Sequence, residues 1–135
     1  CNIWEGIVPT VHDAKAGPVG SAPVMPYDPS TLGLWDLGGN VWELCADWYS
    51  PGTYASAERS EDSCNPRGPS KSFDPLEPAV PKKVMRGGSF LCNAKYCSSY
   101  RVTARMPVAF DTGTSHVGFR CVSDSCDMNV KECVK

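Results

Sequence analysis

Short apolar runs rich in β-branched and aromatic residues alternate with Gly-, Pro- and Ser-containing segments along the second half of the chain. Three segments have this composition, which is typical of β-strands: 82–90, 99–106 and 116–123. The segments between them, 91–98 and 107–115, are expected to be loops. The pattern therefore predicts several short strands that are linked by irregular chain.

The densest aromatic block of the sequence lies at residues 33–50. It predicts a short strand at 33–37 and a Gly-Gly-Asn turn at 38–40. A strand or short turn is then expected to carry Trp42 and Trp48. This block is the strongest candidate for structure in the first half of the chain.

Other parts of the chain show neither a strand nor a helix period. Residues 1–26 are expected to be ordered but irregular, and residues 51–82 form a long excursion rich in Ser, Pro, Glu and Asp. After Ser123 the sequence is polar and predicts a tail. Twelve Gly and twelve Pro in the chain favour turns and short strands over long helices.

Length and charge exclude several classes of function. A chain of 135 residues suits one domain with a modest core. Thirteen basic and fifteen acidic residues give a net charge of −2, so neither nucleic acid nor a membrane surface is an expected partner. No apolar run approaches the roughly 20 residues of a membrane-spanning helix. The opening, Cys1-Asn2-Ile3-Trp4, has no initiator Met or signal region, so we expect a part of a longer soluble protein.

Eight cysteines offer about 105 possible pairings, and several disulfides are expected in an oxidising compartment. Cys92 and Cys97 stand apart because they follow a Gly-Gly-Ser turn and are separated by only four residues. Their spacing is compatible with a structural disulfide and with a reactive thiol pair. Two thiolates would select a soft ion such as Cu(I), whereas the spacing does not suit a zinc finger.

A second candidate site is the Gly-Gly-Asn turn, which is bracketed by Asp36 and Glu43. Carboxylates beside turn carbonyls suit calcium, which takes six to eight oxygen ligands. From the residues alone, a turn-capping Asp36 and a solvated Glu43 are the favoured interpretation. His12 and His116 are too far apart in sequence to suggest a ligand pair.

A series of motifs in fixed order gives a more specific indication. They run through nearly the whole chain: NIW (2–4), GSAPV (20–24), GLWDLGGNVWE (33–43), ADWY (46–49), NPRGP (65–69), RGGSF (86–90), CNAKYC (92–97), YRVTAR (100–105) and GFRC (118–121). With these motifs the chain resembles the sulfatase-modifying factors, the family of the formylglycine-generating enzymes.

The resemblance implies an α+β fold with little regular secondary structure, a variant of the C-type-lectin-like fold. Residues 1–125 would be the C-terminal portion of the sulfatase-modifying-factor domain, and residues 126–135 a polar tail. The family's enzymes are longer than this chain, so part of the substrate groove would come from a segment outside it.

The resemblance also implies a chemistry. A copper-dependent oxidase would convert the cysteine of a Cys-x-Pro-x-Arg motif in an unfolded sulfatase polypeptide to formylglycine, with molecular oxygen and a thiol reductant. Cys92 and Cys97 match the catalytic pair that holds Cu(I), and Ser89 matches a catalytic serine. Trp42 matches an aromatic wall of the substrate pocket, and His116, a candidate substrate-binding residue, stands where some relatives have Asn beside that pocket.

Calcium is implied by the same resemblance. The first site would use side chains and carbonyls of the aromatic block: Asp36, Gly39, Val41 and Glu43. A second site would use Asn2 and the Ile3 carbonyl, but Ala16 stands where an Asp is expected and Asp13 is a candidate substitute.

Two other functions remain open. One is a non-enzymatic, calcium-stabilised C-type-lectin-like module that binds protein or glycan, and the other is a disulfide-stapled domain without chemistry. Retention of Cys92 and Cys97 beside Ser89 favours the oxidase. Thiol-dependent binding of Cu(I) would discriminate, because neither alternative predicts it.

Overall fold

The computed structural model describes residues 1–13, 17–57 and 66–123. It is a small, mainly β domain with little helix, and none of its described helices is long and apolar enough to cross a membrane. The elements in chain order are β1 (Gly6–Ile7), β2 (Val11–His12), β3 (Trp42–Trp48), α1 (Thr53–Ala57), β4 (Lys82–Arg86), β5 (Met106–Ala109) and β6 (Val117–Gly118).

Two sheets organise these strands. β1 and β2 form an antiparallel pair, and the larger sheet has the order β5-β4-β3-β6. β3 pairs antiparallel with β4, with Glu43 opposite Arg86, and the register shifts before Trp48 reaches Lys83. β6 lies parallel to β3 and places Val117 beside the first residue of that strand. The two central strands therefore fix the positions of the candidate site residues at their ends.

β3 forms where a strand or short turn was expected to carry Trp42 and Trp48, and β4 covers only the first part of the strand predicted at 82–90. Other predictions were wrong. Residues 33–37 form no strand, because Gly33 and Asp36 have φ angles of 73° and 54°, which an extended strand excludes. Only the last residue of the predicted strand 99–106 is extended, since the preceding backbone closes two successive turns instead.

Strand β5 instead occupies part of the predicted loop 107–115. Its Pro107 cannot donate a ladder hydrogen bond, which fits the edge position of β5 in the sheet. The predicted strand 116–123 shortens to two residues, and the long excursion 51–82 contains α1. The predicted tail lies outside the described residues.

The described core is small. Trp42, Val84 and Cys92 are its buried hydrophobic residues. Beside it, the buried ammonium of Lys82 binds the Asp74 carboxylate at 2.5 Å and also contacts Glu77. This ion pair lowers the pKa of Asp74 and raises the pKa of Lys82, so both groups stay charged around neutral pH.

Backbone hydrogen bonds connect three distant segments at the end of the sheet. The amide of Trp4 donates to the carbonyl of Cys92 at 2.8 Å, and that of Asn40 donates to Asn2 at 2.7 Å. The amide of Phe90 in turn donates to the carbonyl of Asn40 at 2.9 Å. The N-terminal segment, the 38–40 turn and the cysteine segment are thus held together as one unit.

Candidate active site

The turn that leads into the cysteine segment requires glycine. Gly87 and Gly88 have φ angles of 85° and 71°, which favour residues without a Cβ. A Cβ on Gly88 would lie 2.7 Å from the Cα of Tyr100, closer than packed atoms approach. The close packing of Gly88 against Tyr100 places the following residue, Ser89, in the interior, where it is fully buried.

Ser89 and the two cysteines form one compact cluster. The amide of Cys92 donates to the Ser89 carbonyl at 2.9 Å, and the amide of Leu91 donates to the Ser89 Oγ at 3.2 Å. A second turn closes where the amide of Cys97 donates to the Asn93 carbonyl at 2.8 Å. The two turns bring the sulfur atoms of Cys92 and Cys97 to 2.7 Å from each other, and both are free thiols.

The two thiols have different acidities. Burial raises the pKa of Cys92 to about 11, helped by its contact with Cys97 and only partly offset by hydrogen bonds from Ser89. Burial also acts to raise the pKa of Cys97, but hydrogen bonds from Cys92 and Ser99 outweigh it and lower that pKa below its ordinary value. The pair is therefore suited to hold one thiolate, on Cys97, beside one thiol.

This asymmetry predicts the order of alkylation. We expect iodoacetamide to modify Cys97 before Cys92 at pH 8, because the lowered pKa populates the Cys97 thiolate while Cys92 stays protonated until about pH 11. Peptide mapping by mass spectrometry after short exposures measures both rates. Equal rates, or faster modification of Cys92, would contradict the assignment.

Trp42 and His116 lie beside each other where β3 begins. The amide of Trp42 donates to the His116 carbonyl at 2.8 Å, and the Trp42 side chain is buried. His116 is half-buried. No hydrogen bond within the described part of the chain joins either side chain to the cysteine cluster, so their roles in a pocket stay predictions.

The two carboxylates of the predicted calcium turn already have partners. Glu43 accepts a hydrogen bond from the Nε of Arg120 at 2.6 Å and a second from its Nη2. The same Nη2 contacts the carbonyls of Trp35 at 3.1 Å and Asp36 at 3.5 Å. The Asp36 carboxylate accepts a hydrogen bond from the amide of Met25 at 2.8 Å. The Glu43 carboxylate and two backbone carbonyls thus converge on one positive group, the guanidinium of Arg120.

The residues of the predicted second calcium site pack against the first. The Asn2 side chain donates to the carbonyl of Gly20 at 2.9 Å and to the Oδ1 of Asn40 at 3.2 Å. A Cβ on Gly39 would lie 2.3 Å from the Asn2 carbonyl oxygen and 3.1 Å from Ile3, so only glycine fits.

The remaining residues that were predicted as calcium ligands lie as follows, and their role stays a prediction. Val41 lies next to β6, against Gly118. Ala16 falls outside the described residues, and Asp13 does have a partner. Across the part of the chain that the structure describes, no three His, Cys, Asp or Glu side chains form a metal-binding group.

Two supporting residues were not predicted from the sequence. Asn93 is buried; its side chain donates to the Trp4 carbonyl at 2.9 Å and accepts from the Lys95 amide at 2.9 Å. It therefore fixes the cysteine turn to the N-terminal segment. The position of Asn93, a turn-forming residue directly after Cys92, could have indicated this role from the sequence. The second residue that was not predicted is Arg120, which binds Glu43.

Comparison with known proteins identifies the family. The sequence model of one protein family, the sulfatase-modifying factor enzyme 1-like domain, matches residues 1–125. The chain belongs to this family. The matched residues include the turn that carries Ser89, both cysteines and the predicted calcium turn at 36–43. It confirms the resemblance that the ordered motifs indicated.

Several relatives carry an enzyme name. The chain is 42% identical to the formylglycine-generating enzyme of Streptomyces coelicolor over 125 residues, which cover 93% of this chain and 36% of that protein. It is 37% identical to the enzyme of the same name from Mus musculus, with 91% of this chain and 30% of that protein covered. The chain therefore spans about a third of the length of these curated relatives.

The family also contains a member named as inactive. The inactive C-alpha-formylglycine-generating enzyme 2 of Mus musculus is 31% identical over 92% of this chain and 33% of its own length. Among solved structures, Treponema denticola variable protein 1 superposes with a TM-score of 0.51 at 25% identity, over 74% of this chain and 31% of that one. Family membership alone consequently does not distinguish an enzyme from a non-enzyme.

Proposed function

We propose that the chain carries the catalytic cysteine pair of a formylglycine-generating enzyme. The observation that supports this proposal is the cluster of Ser89, Cys92 and Cys97, in which two free sulfurs lie 2.7 Å apart next to a buried hydroxyl. The substrate would be the cysteine of a Cys-x-Pro-x-Arg motif in an unfolded sulfatase polypeptide. Molecular oxygen would be the oxidant, and a thiol reductant would supply the remaining electrons.

The donor set fits copper. Cys92 and Cys97 would hold Cu(I), because paired thiolates are the soft ligands that this ion prefers. When bound, the ion would supply oxygen activation at the substrate sulfur. The protein's own contribution is to exclude water from Cys92, to keep Cys97 ready to lose its proton, and to hold Ser89 against Cys92 through backbone and side-chain hydrogen bonds.

The surrounding pocket and fold complete the proposal. Trp42 would form an aromatic wall and His116 a polar edge for the substrate peptide. The described domain would be the C-terminal portion, residues 1–125, of a C-type-lectin-like fold, followed by a polar tail. The alternative, a calcium-stabilised binding module, has no use for two adjacent free thiols and predicts no thiol-dependent binding of Cu(I).

A chimera tests the enzyme directly. Residues 1–125 would replace the matching segment of the Streptomyces coelicolor enzyme, which is 42% identical over 125 residues. The chimera is incubated with Cu(I), a thiol reductant and a peptide that contains Cys-x-Pro-x-Arg, and mass spectrometry scores the change from cysteine to aldehyde. A folded chimera that binds Cu(I) but forms no aldehyde would overturn the proposed activity, and one that binds no Cu(I) would overturn the copper assignment.

We also propose that calcium binds at the turn formed by Asp36, Gly39, Val41 and Glu43, with a second site at Asn2 and Ile3. The donor chemistry fits a hard cation, because carbonyl oxygens and the Glu43 carboxylate already converge on a positive charge. Calcium would have to displace the guanidinium of Arg120 from Glu43.

Calcium is expected to raise the melting temperature of the chain, and Asp36→Ala is expected to remove most of that rise. At a free concentration one hundred times the dissociation constant, the ion adds about 2.7 kcal/mol to the free energy of unfolding. Differential scanning fluorimetry with calcium and with a chelator measures the effect. Asp111→Ala, at an exposed carboxylate, is the matched control. A melting temperature that is indifferent to the chelator would remove the assignment.

A further inference from the structure

A cavity of about 600 Å³ opens on the β3–β4 face of the sheet, apart from the cysteine cluster. We call it the arginine cavity, because three guanidinium groups line it. Six of its lining residues carry the argument that follows: Cys45, Asp47, Tyr54, Arg67, Arg86 and Arg105. Its volume lies in the range of small-molecule sites, which is roughly 300–1,000 Å³.

The charge of the arginine cavity is not balanced. Asp47 is the one carboxylate among the described residues that line it, and it lies 3.4 Å from Arg105. Neither Arg67 nor Arg86 forms an ion pair with any residue that the structure describes. Glu43, which faces Arg86 across the sheet, binds Arg120 instead. Among the described residues, two positive charges in this concave space therefore have no carboxylate partner.

The geometry of these groups suits recognition of an anion. The guanidinium of Arg105 lies 5.0 Å from the ring centre of Tyr54 and donates to the Ser50 carbonyl at 3.3 Å, so its position is fixed before any ligand arrives. Arg86 donates to the Tyr54 hydroxyl at 3.4 Å. A guanidinium matches the two oxygens of a carboxylate, phosphate or sulfate group, and a preorganised one loses less entropy on binding.

We propose that the arginine cavity binds an oxyanion group, supplied either by a small anion or by an acidic peptide side chain. This site is separate from the proposed oxidase chemistry and does not depend on it. Arg67 and Arg86 would make the ion pairs, and Arg105 would fix the shape of the cavity.

Cys45 provides a local measurement, because its free thiol lines the cavity. Peptide mapping measures the rates at which anionic iodoacetate and neutral iodoacetamide alkylate Cys45. Both reagents react with the same thiolate, so the ratio of the two rates does not depend on the fraction of Cys45 that is ionised. We expect inorganic phosphate, or a short glutamate peptide, to slow the iodoacetate reaction at Cys45 but not at exposed Cys121. Protection by phosphate indicates a small anion, and protection by the glutamate peptide alone indicates an acidic side chain.

Variants decide whether the arginines cause the protection. Arg67→Gln is expected to weaken it roughly tenfold, the loss of one charged hydrogen-bonded contact. Arg67 is exposed, so this variant should fold, whereas Arg86→Gln also removes a contact to Tyr54. Arg101→Gln, an exposed arginine outside the cavity, is the control and should leave protection unchanged. An uncharged glutamine peptide of the same length is the control for the glutamate peptide. The proposal is overturned if protection persists in Arg67→Gln, if the glutamine peptide protects equally well, or if neither anion protects.

Discussion

Cys92→Ser and Cys97→Ser are each expected to lower aldehyde formation in the chimera by roughly 10³-fold or more, and each to remove stoichiometric binding of Cu(I). Both sulfurs would serve one metal ion, so neither can replace the other. The double variant should be little worse than either single one, as is found for residues that act as a unit. Mass spectrometry of the substrate peptide and a Cu(I) competition assay measure the two effects independently.

A structural role for the pair predicts a different result. Both single variants would then lose stability to the same extent, while the folded fraction would retain its activity. Cys121→Ser is the matched control, because Cys121 is an exposed free thiol. Normal turnover in both single cysteine variants would rule out the oxidase mechanism for this pair, whatever the stability data show.

Sequence patterns predicted the parts of the fold that depend on local residues. The β-branched and aromatic content indicated β4 and left a strand or short turn open at β3. The short spacing of Cys92 and Cys97 marked them as a pair, and the family resemblance added Ser89. The strand predicted at 33–37 failed because Gly33 and Asp36 adopt left-handed backbone conformations, which composition does not reveal.

Contacts between distant residues were beyond prediction from one sequence. Arg120 and Glu43 are 77 positions apart, and the ion pair that they form changes the interpretation of the calcium turn. The acidity of the cysteines is a similar case. Which thiol is the more acidic depends on the burial of Cys92 and on hydrogen bonds from Ser99 to Cys97, and only the folded chain provides them.

The apolar surface of the chain leads to the last prediction. Its described core has three buried hydrophobic residues, whereas Leu32, Leu76 and Val122 are each more than 80% exposed. Other large apolar side chains, among them Ile7, Val19 and Phe119, are also exposed among the described residues, and we expect another segment to cover part of this surface. The chain spans 36% of its Streptomyces coelicolor relative, and the rest of that protein has no counterpart here.

The 135-residue chain by itself is therefore expected to turn over a sulfatase peptide at least roughly a hundredfold more slowly than the chimera. Small displacements of Ser89 and the cysteines would cost this much, and we expect the covering segment to hold these residues in place as well as to complete the groove. Turnover of the chain and of the chimera is compared at equal Cu(I) loading, which separates groove formation from metal binding. Adding the remaining segment of the relative as a separate polypeptide should restore part of the activity. Full turnover by the isolated chain would show that it contains the whole groove and that its exposed apolar residues serve another purpose.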